Sequence, residues 1–387
     1  MVCDSPLAYR LSLSTFCALF IVSRQLPAGT DWIYNPQPEK MASAKGGKMK
    51  KLIPALLGMS LLISSQCLAV EPVVLKFASF VSPKSITNSV TIPEFIKRVE
   101  EASEGTLKIE HYPGGTLGSS PKSQLKLVED GVVDIAEVVA AYTPGRFPEL
   151  SLFELPFEFS SSQEAGLTAW NMYAKGLMPS MDNLEIMAIG QIGPYTLHAR
   201  KDISSFAKVK GLKLRAGGPI QGKIVKQLDA VPIGGIGATK IAEAISRKVL
   251  DGCLMDDGNM WNFRIADATK HHVLNVQLGN VALLFPMNKK KYDSLPPKAK
   301  AALDKYRGVW LTRTWNGNLD KQIAEGIKKL REDKKHKVTD WPAADVDQVK
   351  VSMAGIKDEF DVKNDAGVNL YQEMLKAKAE AQAMMNK

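Results

Sequence analysis

The chain predicts an α/β fold built on parallel sheets, and three observations carry that reading. From Val73 onward, short apolar or alternating runs recur, most of them closed by a Gly or Pro turn and followed by apolar residues at helical spacing. The 387 residues, 45% of them hydrophobic, suffice for one large or two medium cores. No internal repeat or long linker divides the chain, so any second domain must be made by strands that cross between the two.

The amino terminus reads as an export signal in an unusual place. Met49-Lys50-Lys51 is a basic start, Leu52 to Ile63 an apolar stretch too short to span a bilayer, and Cys67-Leu68-Ala69 a small-residue cleavage site before Val70. Cys67 invites a lipoprotein reading, but Ser64-Ser65-Gln66 fits that motif poorly. Residues 1–48 add a shorter apolar run, Leu11 to Val22, and a polar Pro/Gly segment. They read as an over-called start, with translation beginning at Met49 and 49–69 as the signal peptide. The expected location is the periplasm.

In the exported part, Val73 to Phe80 is the first buried strand. Thr91-Ile92-Pro93-Glu94 reads as a capping box opening a helix that Gly105 ends. Leu107 to Tyr112 is a second strand, Pro121 to Glu129 a helix, and Gly131 to Ala140 a turn and strand. Leu150 to Phe159 is an apolar connector, and Ser161 to Glu164 a second capping box leading into a helix through Trp170 and Tyr173. Ile186 to Ile192 is again strand-like. Pro296-Pro297 precedes one long helical reading from Lys298 to about Lys334, with a kink allowed at Gly308 or Gly317. Ala366 to Met385 closes the chain as a polar, Ala-rich helix.

The most informative stretch runs from Gly211 to Asp257. Leu212 and Leu214 alternate with Lys213 and Arg215 as in a half-buried strand, Gly217-Gly218 breaks it, and Pro219 opens a helix with Ile220, Ile224, Val225 and Leu228 on one face. Arg215 therefore sits at the carboxyl end of a strand, facing helix amides, where open α/β sheets bind ligands. A guanidinium there is a receptor for one carboxylate. An arginine in a surface ion pair satisfies the same position.

Composition excludes several classes. Outside residues 1–69 the chain carries 43 basic and 38 acidic residues, interspersed, so there is no nucleic-acid footprint. Of four cysteines only Cys253 lies beyond the leader, which leaves no internal disulfide and no thiolate metal site; a buried small hydrophobe is expected there. HExxH, GxSxG and CxxC are absent, and Gly234 to Lys240 matches neither the Walker pattern nor GxGxxG. His271-His272 is expected at the surface, its members pointing to different sides of a helix, rather than as a metal pair. In Asp256-Asp257 one carboxylate is expected on a ligand and the other in solvent, in preference to acid–base catalysis. Lys329 to Lys337 reads as a solvated basic face. Binding, without catalysis, cofactor or metal, is the expectation.

Seven segments, in order, resemble the solute-binding proteins of tripartite ATP-independent periplasmic (TRAP) transporters, the C4-dicarboxylate-binding type. They are LKFASF (Leu75–Phe80), HYPGGTLG ending at Gly118, DGVVDIAE (Asp130–Glu137), LFELPFEF (Leu152–Phe159), KGLKLRAGG (Lys210–Gly218), VLDG (Val249–Gly252) and LLFPMNKKKYDSLP (Leu283–Pro296). The resemblance implies two α/β lobes joined by crossing strands, with a long helix running across both. The first lobe would be 71–192 plus 281–320, the second 193–280 plus 321–387. It also implies a small organic acid as ligand, the membrane permease subunits as partners, and a monomer. Arg215 falls on the family's arginine for the substrate carboxylate.

Alignment to that family places Phe80, Val139, Tyr195 and Met255 where relatives that bind sugar acids or dicarboxylates carry polar groups. Such a lining leaves hydroxyls or a second carboxylate unpaired. The expected ligand is a monocarboxylate with an apolar or aromatic body, its tail among Phe80, Tyr142, Tyr195 and Trp261, with Asp256 available to a hydroxyl or amine. The alternatives are a dicarboxylate or sugar acid, or a binding protein that serves a sensor instead of a permease.

Overall fold

The structure, a computed structural model, describes residues 71–364 and 366–386; the expected signal peptide and the segment before it lie outside them. The chain begins with β1 (Val73–Ala78), α1 (Ile92–Ser103), β2 (Leu107–Tyr112), α2 (Gln124–Glu129), β3 (Ile135–Ala136) and β4 (Val138–Val139). It continues through α3 (Ser162–Ala174), β5 (Leu184–Ile192), β6 (Thr196–Ala199), β7 (Lys213–Arg215), α4 (Pro219–Gln227), β8 (Val231–Ile233), α5 (Ile241–Ser246) and β9 (Gly252–Met255). Then come α6 (Asn259–Asn262), α7 (Ile265–Ala268), β10 (His271–Val273), β11 (Val281–Asn288), α8 (Lys289–Asp293) and α9 (Pro297–Tyr306). The end is α10 (Val309–Glu332), β12 (Lys337–Val338), α11 (Ala343–Asp358) and α12 (Leu370–Met385).

The strands form two sheets. One runs β2-β1-β3-β11-β4 with β5 on β11, the other β12-β10-β6-β9-β7-β8. The chain crosses between them from β5 to β6, and back from β10 to β11. The sheets are mixed rather than parallel: β1 pairs in parallel with β2 and β3, whereas β11 runs antiparallel to β3, β4 and β5. The returning strand explains this, because entering from the other sheet it lies against three strands at once. The first strand is built as its apolar run requires, with Leu75 and Phe77 fully buried and Phe77 packed edge-on against Phe95 of α1 and Phe285 of β11.

The long helical reading resolves into two helices. Gly308 takes φ 72° and lies against the Trp170 ring, and its amide donates to Met187 O at 2.7 Å, so the chain breaks there and restarts as the 24-residue α10. This helix replaces a strand neighbour on the open edge of β5. Thr312 Oγ1 accepts from Ile189 N (3.2 Å), Asn316 Oδ1 accepts from Gln191 N (2.8 Å), and Asn316 Nδ2 donates to Ile189 O (3.1 Å). Gly190 permits the approach, since a Cβ there would stand 2.5 Å from the Trp315 ring. Farther along, Gly326 lies directly on the Asp257 carbonyl beside the second sheet. One rod is thus seated against both sheets.

Of three local expectations, two change and one holds in part. The Thr91 side chain does not cap α1, because a π turn over Thr87–Thr91 already carries helical backbone into it, and Thr91 Oγ1 accepts from Asn318 instead (3.0 Å). The Ser161 box forms in part: Ser161 Oγ accepts from Glu164 N at 3.1 Å, while the Glu164 carboxylate accepts from Ser160 N at 2.8 Å, one residue before the cap. The last helix, α12, expected with the second lobe, packs on α3, and Lys175 pairs with Glu380 across that contact.

Candidate ligand-binding site

Arg215 ends β7 and is only 2% exposed. Its Nε donates to Ile236 O at 3.0 Å and its Nη2 to Tyr142 Oη at 2.9 Å, while Nη1 has no partner among the described residues. No carboxylate among them pairs with it either, so the surface ion-pair reading does not hold. Gly217 makes the position possible: a Cβ there would come within 2.5 Å of Nη1. The Gly217 amide is taken by Gln221 Oε1 at 2.7 Å. What remains is a buried cation with the forked end of its guanidinium largely free. An uncompensated charge of this kind is expensive to bury and is satisfied by an anion.

The end of Arg215 opens into a cavity between the two sheets. Six expected residues, Phe80, Val139, Tyr142, Tyr195, Arg215 and Met255, line it. The first sheet brings Phe80 from just beyond β1 and Val139 from β4; the second brings Arg215 and Met255. Tyr195 stands on the crossing between β5 and β6, 4% exposed, and burial pushes its phenol well above the ordinary range. Tyr142 joins the sheets, for besides Arg215 Nη2 its oxygen accepts from Ala238 N at 3.0 Å.

Asp256 and Trp261 do not line the cavity. Asp256 is fully buried and folded back on the next turn, accepting from Asn259 N and Asn259 Nδ2, both at 2.9 Å. Burial pushes its carboxyl up to about 6 against those hydrogen bonds. Trp261 sits half-buried under the Lys329 ammonium, 5.4 Å from its ring centre, and Phe263 takes the expected aromatic place. Asp257 is not solvated: it is 2% exposed, accepts from Thr196 Oγ1 at 3.0 Å, and is pushed by burial up to about 7. His272 likewise departs from its surface expectation. It lies fully buried on a strand, with Nδ1 2.9 Å from His198 Nδ1 and Nε2 2.9 Å from His336 Nδ1. Cys253 is buried beside Arg215 in the ladder and its thiol is pushed up to about 12, as suits a small core residue.

The site also contains groups not singled out from sequence. Glu137 lines the cavity between β3 and β4, and Trp315 enters from α10, its Nε1 donating to Thr87 Oγ1 at 3.1 Å. Glu154 is buried near the guanidinium; burial pushes it up to about 8 while Arg215 pulls the other way, and its Oε2 has no partner. Glu137 has a sequence signal, since it shares a face with Val139 two residues on. Trp315 has none beyond helical spacing, because only the seating of α10 decides which of its faces meets the cavity.

Two mixed sheets, a crossing pair of connections, a helix against both and a buried arginine without a counter-ion define an α/β binding protein for an anionic ligand. The chain belongs to the bacterial extracellular solute-binding proteins, family 7, whose model matches residues 77–363. It is similar in structure to a marine metagenome TRAP solute-binding protein from an unidentified microbe, specific for aromatic acid ligands and solved with metahydroxyphenylacetate. That likeness has a TM-score of 0.74 at 28% identity and covers 80% of this chain and 99% of that one. A TRAP solute-binding protein from Rhodoferax ferrireducens, solved with copurified benzoate, gives a TM-score of 0.74 at 26% identity, covering 81% and 99%. Among curated proteins, the 2,3-diketo-L-gulonate-binding periplasmic protein of Escherichia coli is 23% identical over 223 residues, which is 55% of this chain and 66% of that protein.

Proposed function

We propose that this protein captures an aromatic monocarboxylate in the periplasm and delivers it to the membrane permease of a TRAP transporter. The observation that carries the reading is Arg215, buried without a counter-ion at the head of a cavity lined largely by Phe80, Val139, Met255, Phe263 and Trp315. The guanidinium receives one carboxylate through two parallel hydrogen bonds. The aromatic and aliphatic lining takes an apolar body but offers little to a polyhydroxylated one, whose groups would be left unpaired. The aromatic ligands of the two structural relatives point the same way. Binding is the role of the family to which the chain belongs. Tyr142, held on one sheet and bonded to Arg215 and Ala238 on the other, closes the two around the ligand.

A thermal-shift screen of residues 70–387 tests the class. Aromatic and aliphatic monocarboxylates, 2-oxo acids, dicarboxylates and sugar acids are compared; a ligand at a hundredfold excess over its Kd stabilises by about 2.7 kcal/mol. The expected result is a shift with benzoate or phenylacetate. A shift with dicarboxylates or sugar acids alone would replace the aromatic reading.

A further inference from the structure

Resting on the aromatic-acid reading above, we infer that Glu137 is a second recognition point in the cavity, selecting ligands whose ring carries a hydroxyl away from the carboxylate. Glu137 is 2% exposed and lines the cavity from the first sheet, whereas Arg215 enters from the second. Its position is fixed from behind by a directed chain of hydrogen bonds. Asn88 Nδ2 donates to Ser79 Oγ at 3.0 Å and to Val81 O at 2.8 Å, which sets the orientation of the amide, and Asn88 Oδ1 lies 3.0 Å from His111 Nε2. Ser79 Oγ also accepts from Val81 N at 3.2 Å. With two donors pointing at it, the Ser79 hydroxyl turns its own proton to Glu137 Oε2.

Oε2 is therefore an acceptor whatever the charge of the group, and Oε1 has no hydrogen-bond partner among the described residues. A buried carboxyl oxygen that borders a cavity and lacks a partner calls for one from the ligand. Burial pushes the Glu137 carboxyl up to about 7, with Ser79 pulling against it, so both charge states are accessible near neutrality.

A hydroxyl both donates and accepts, so it pairs with Oε1 in either state. A second carboxylate pairs only with the protonated state and is repelled by the ionised one. Glu137 accordingly favours a hydroxylated ring over a bare one, and over a second carboxylate where it is ionised.

Calorimetric titration of the wild type, Glu137→Leu and Glu137→Gln with benzoate, 3-hydroxybenzoate and 4-hydroxybenzoate tests this. In the wild type at least one hydroxy isomer is expected to bind about tenfold or more tightly than benzoate. In Glu137→Leu that preference is lost or reversed. Glu137→Gln keeps an acceptor for Ser79 and so guards against a Leu variant that does not fold. In it the hydroxyl preference is kept, because the amide nitrogen donates to the hydroxyl oxygen. Benzoate binding with no hydroxyl preference in the wild type, or a preference that survives in Glu137→Leu, overturns the role of Glu137 alone. No binding of any of the three acids to the wild type overturns the aromatic-acid reading and this inference with it.

Discussion

Tyr142 Oη stands 2.9 Å from Arg215 Nη2, and the two side chains come from different sheets. The same oxygen accepts from Ala238 N, so both of its lone pairs are used and its proton is left to point elsewhere. One phenol thereby orients the guanidinium, holds the sheets together at the cavity, and keeps a donor free for a bound carboxylate.

Removing that hydroxyl should weaken binding without unfolding the protein. Each hydrogen bond contributes on the order of 1 kcal/mol, so Tyr142→Phe is expected to lower affinity for an aromatic acid by about tenfold. Calorimetric titration measures it; an unchanged Kd would contradict the bridging role.

Arg215 sets function against stability. Burying a cation without a partner destabilises the empty protein, and an apolar side chain of similar volume relieves that strain. Arg215→Met is therefore expected to melt at the same temperature as the ligand-free wild type or higher, by up to a few kcal/mol. A large fall in Tm, followed by circular dichroism, would show that the guanidinium is structural.

Acid and alkali should act through different groups. His198, pushed down to about 4 by burial, stays neutral in the folded state. Its contribution is present above the unfolded value near 6.5 and is lost as pH falls through 4. Glu154 has the opposite sign: with a folded value near 8, its contribution is present below about 4.5 and lost as pH rises through 8. In urea titrations, Glu154→Gln should flatten the loss of stability between pH 5 and 8. His198→Gln should flatten the loss between pH 6.5 and 4. Parallel pH profiles for variant and wild type would contradict either assignment.

The seat of the long helix offers a fourth check. A methyl at Gly326 would overlap the Asp257 carbonyl, and one at Gly190 would meet the Trp315 ring at 2.5 Å. Alanine at either position is expected to cost about 1–3 kcal/mol, read as a lower Tm, although alanine is the better helix former at Gly326.

Much of this was legible in the sequence where local chemistry decides structure. The alternation at Leu212 to Arg215 and the glycine turn after it place Arg215 at a strand end, and the structure has it there. The apolar runs at Val73 and Ile186 are strands because nothing else buries them. What was not legible depends on contacts distant in sequence. The sheets are mixed because β11 returns antiparallel into the first and β6 enters antiparallel to β9 and β10 in the second, and no local pattern records those directions. Asp256 turns back on Asn259, and Trp261 yields to Phe263, because α6 is a single turn whose facing is set by its neighbours. His272 is buried because its partners, His198 and His336, lie 74 and 64 residues away. Glu137 carries only its spacing from Val139 as a signal, and a lone carboxylate in an apolar strand looks the same whether it meets solvent or a ligand.

The most direct test is calorimetric titration of benzoate into residues 70–387, beside Arg215→Met shown by circular dichroism to be folded. The account predicts one site in the wild type and no measurable binding in the variant. Benzoate bound equally by both, or a wild type that ignores aromatic acids yet binds a dicarboxylate, would contradict it.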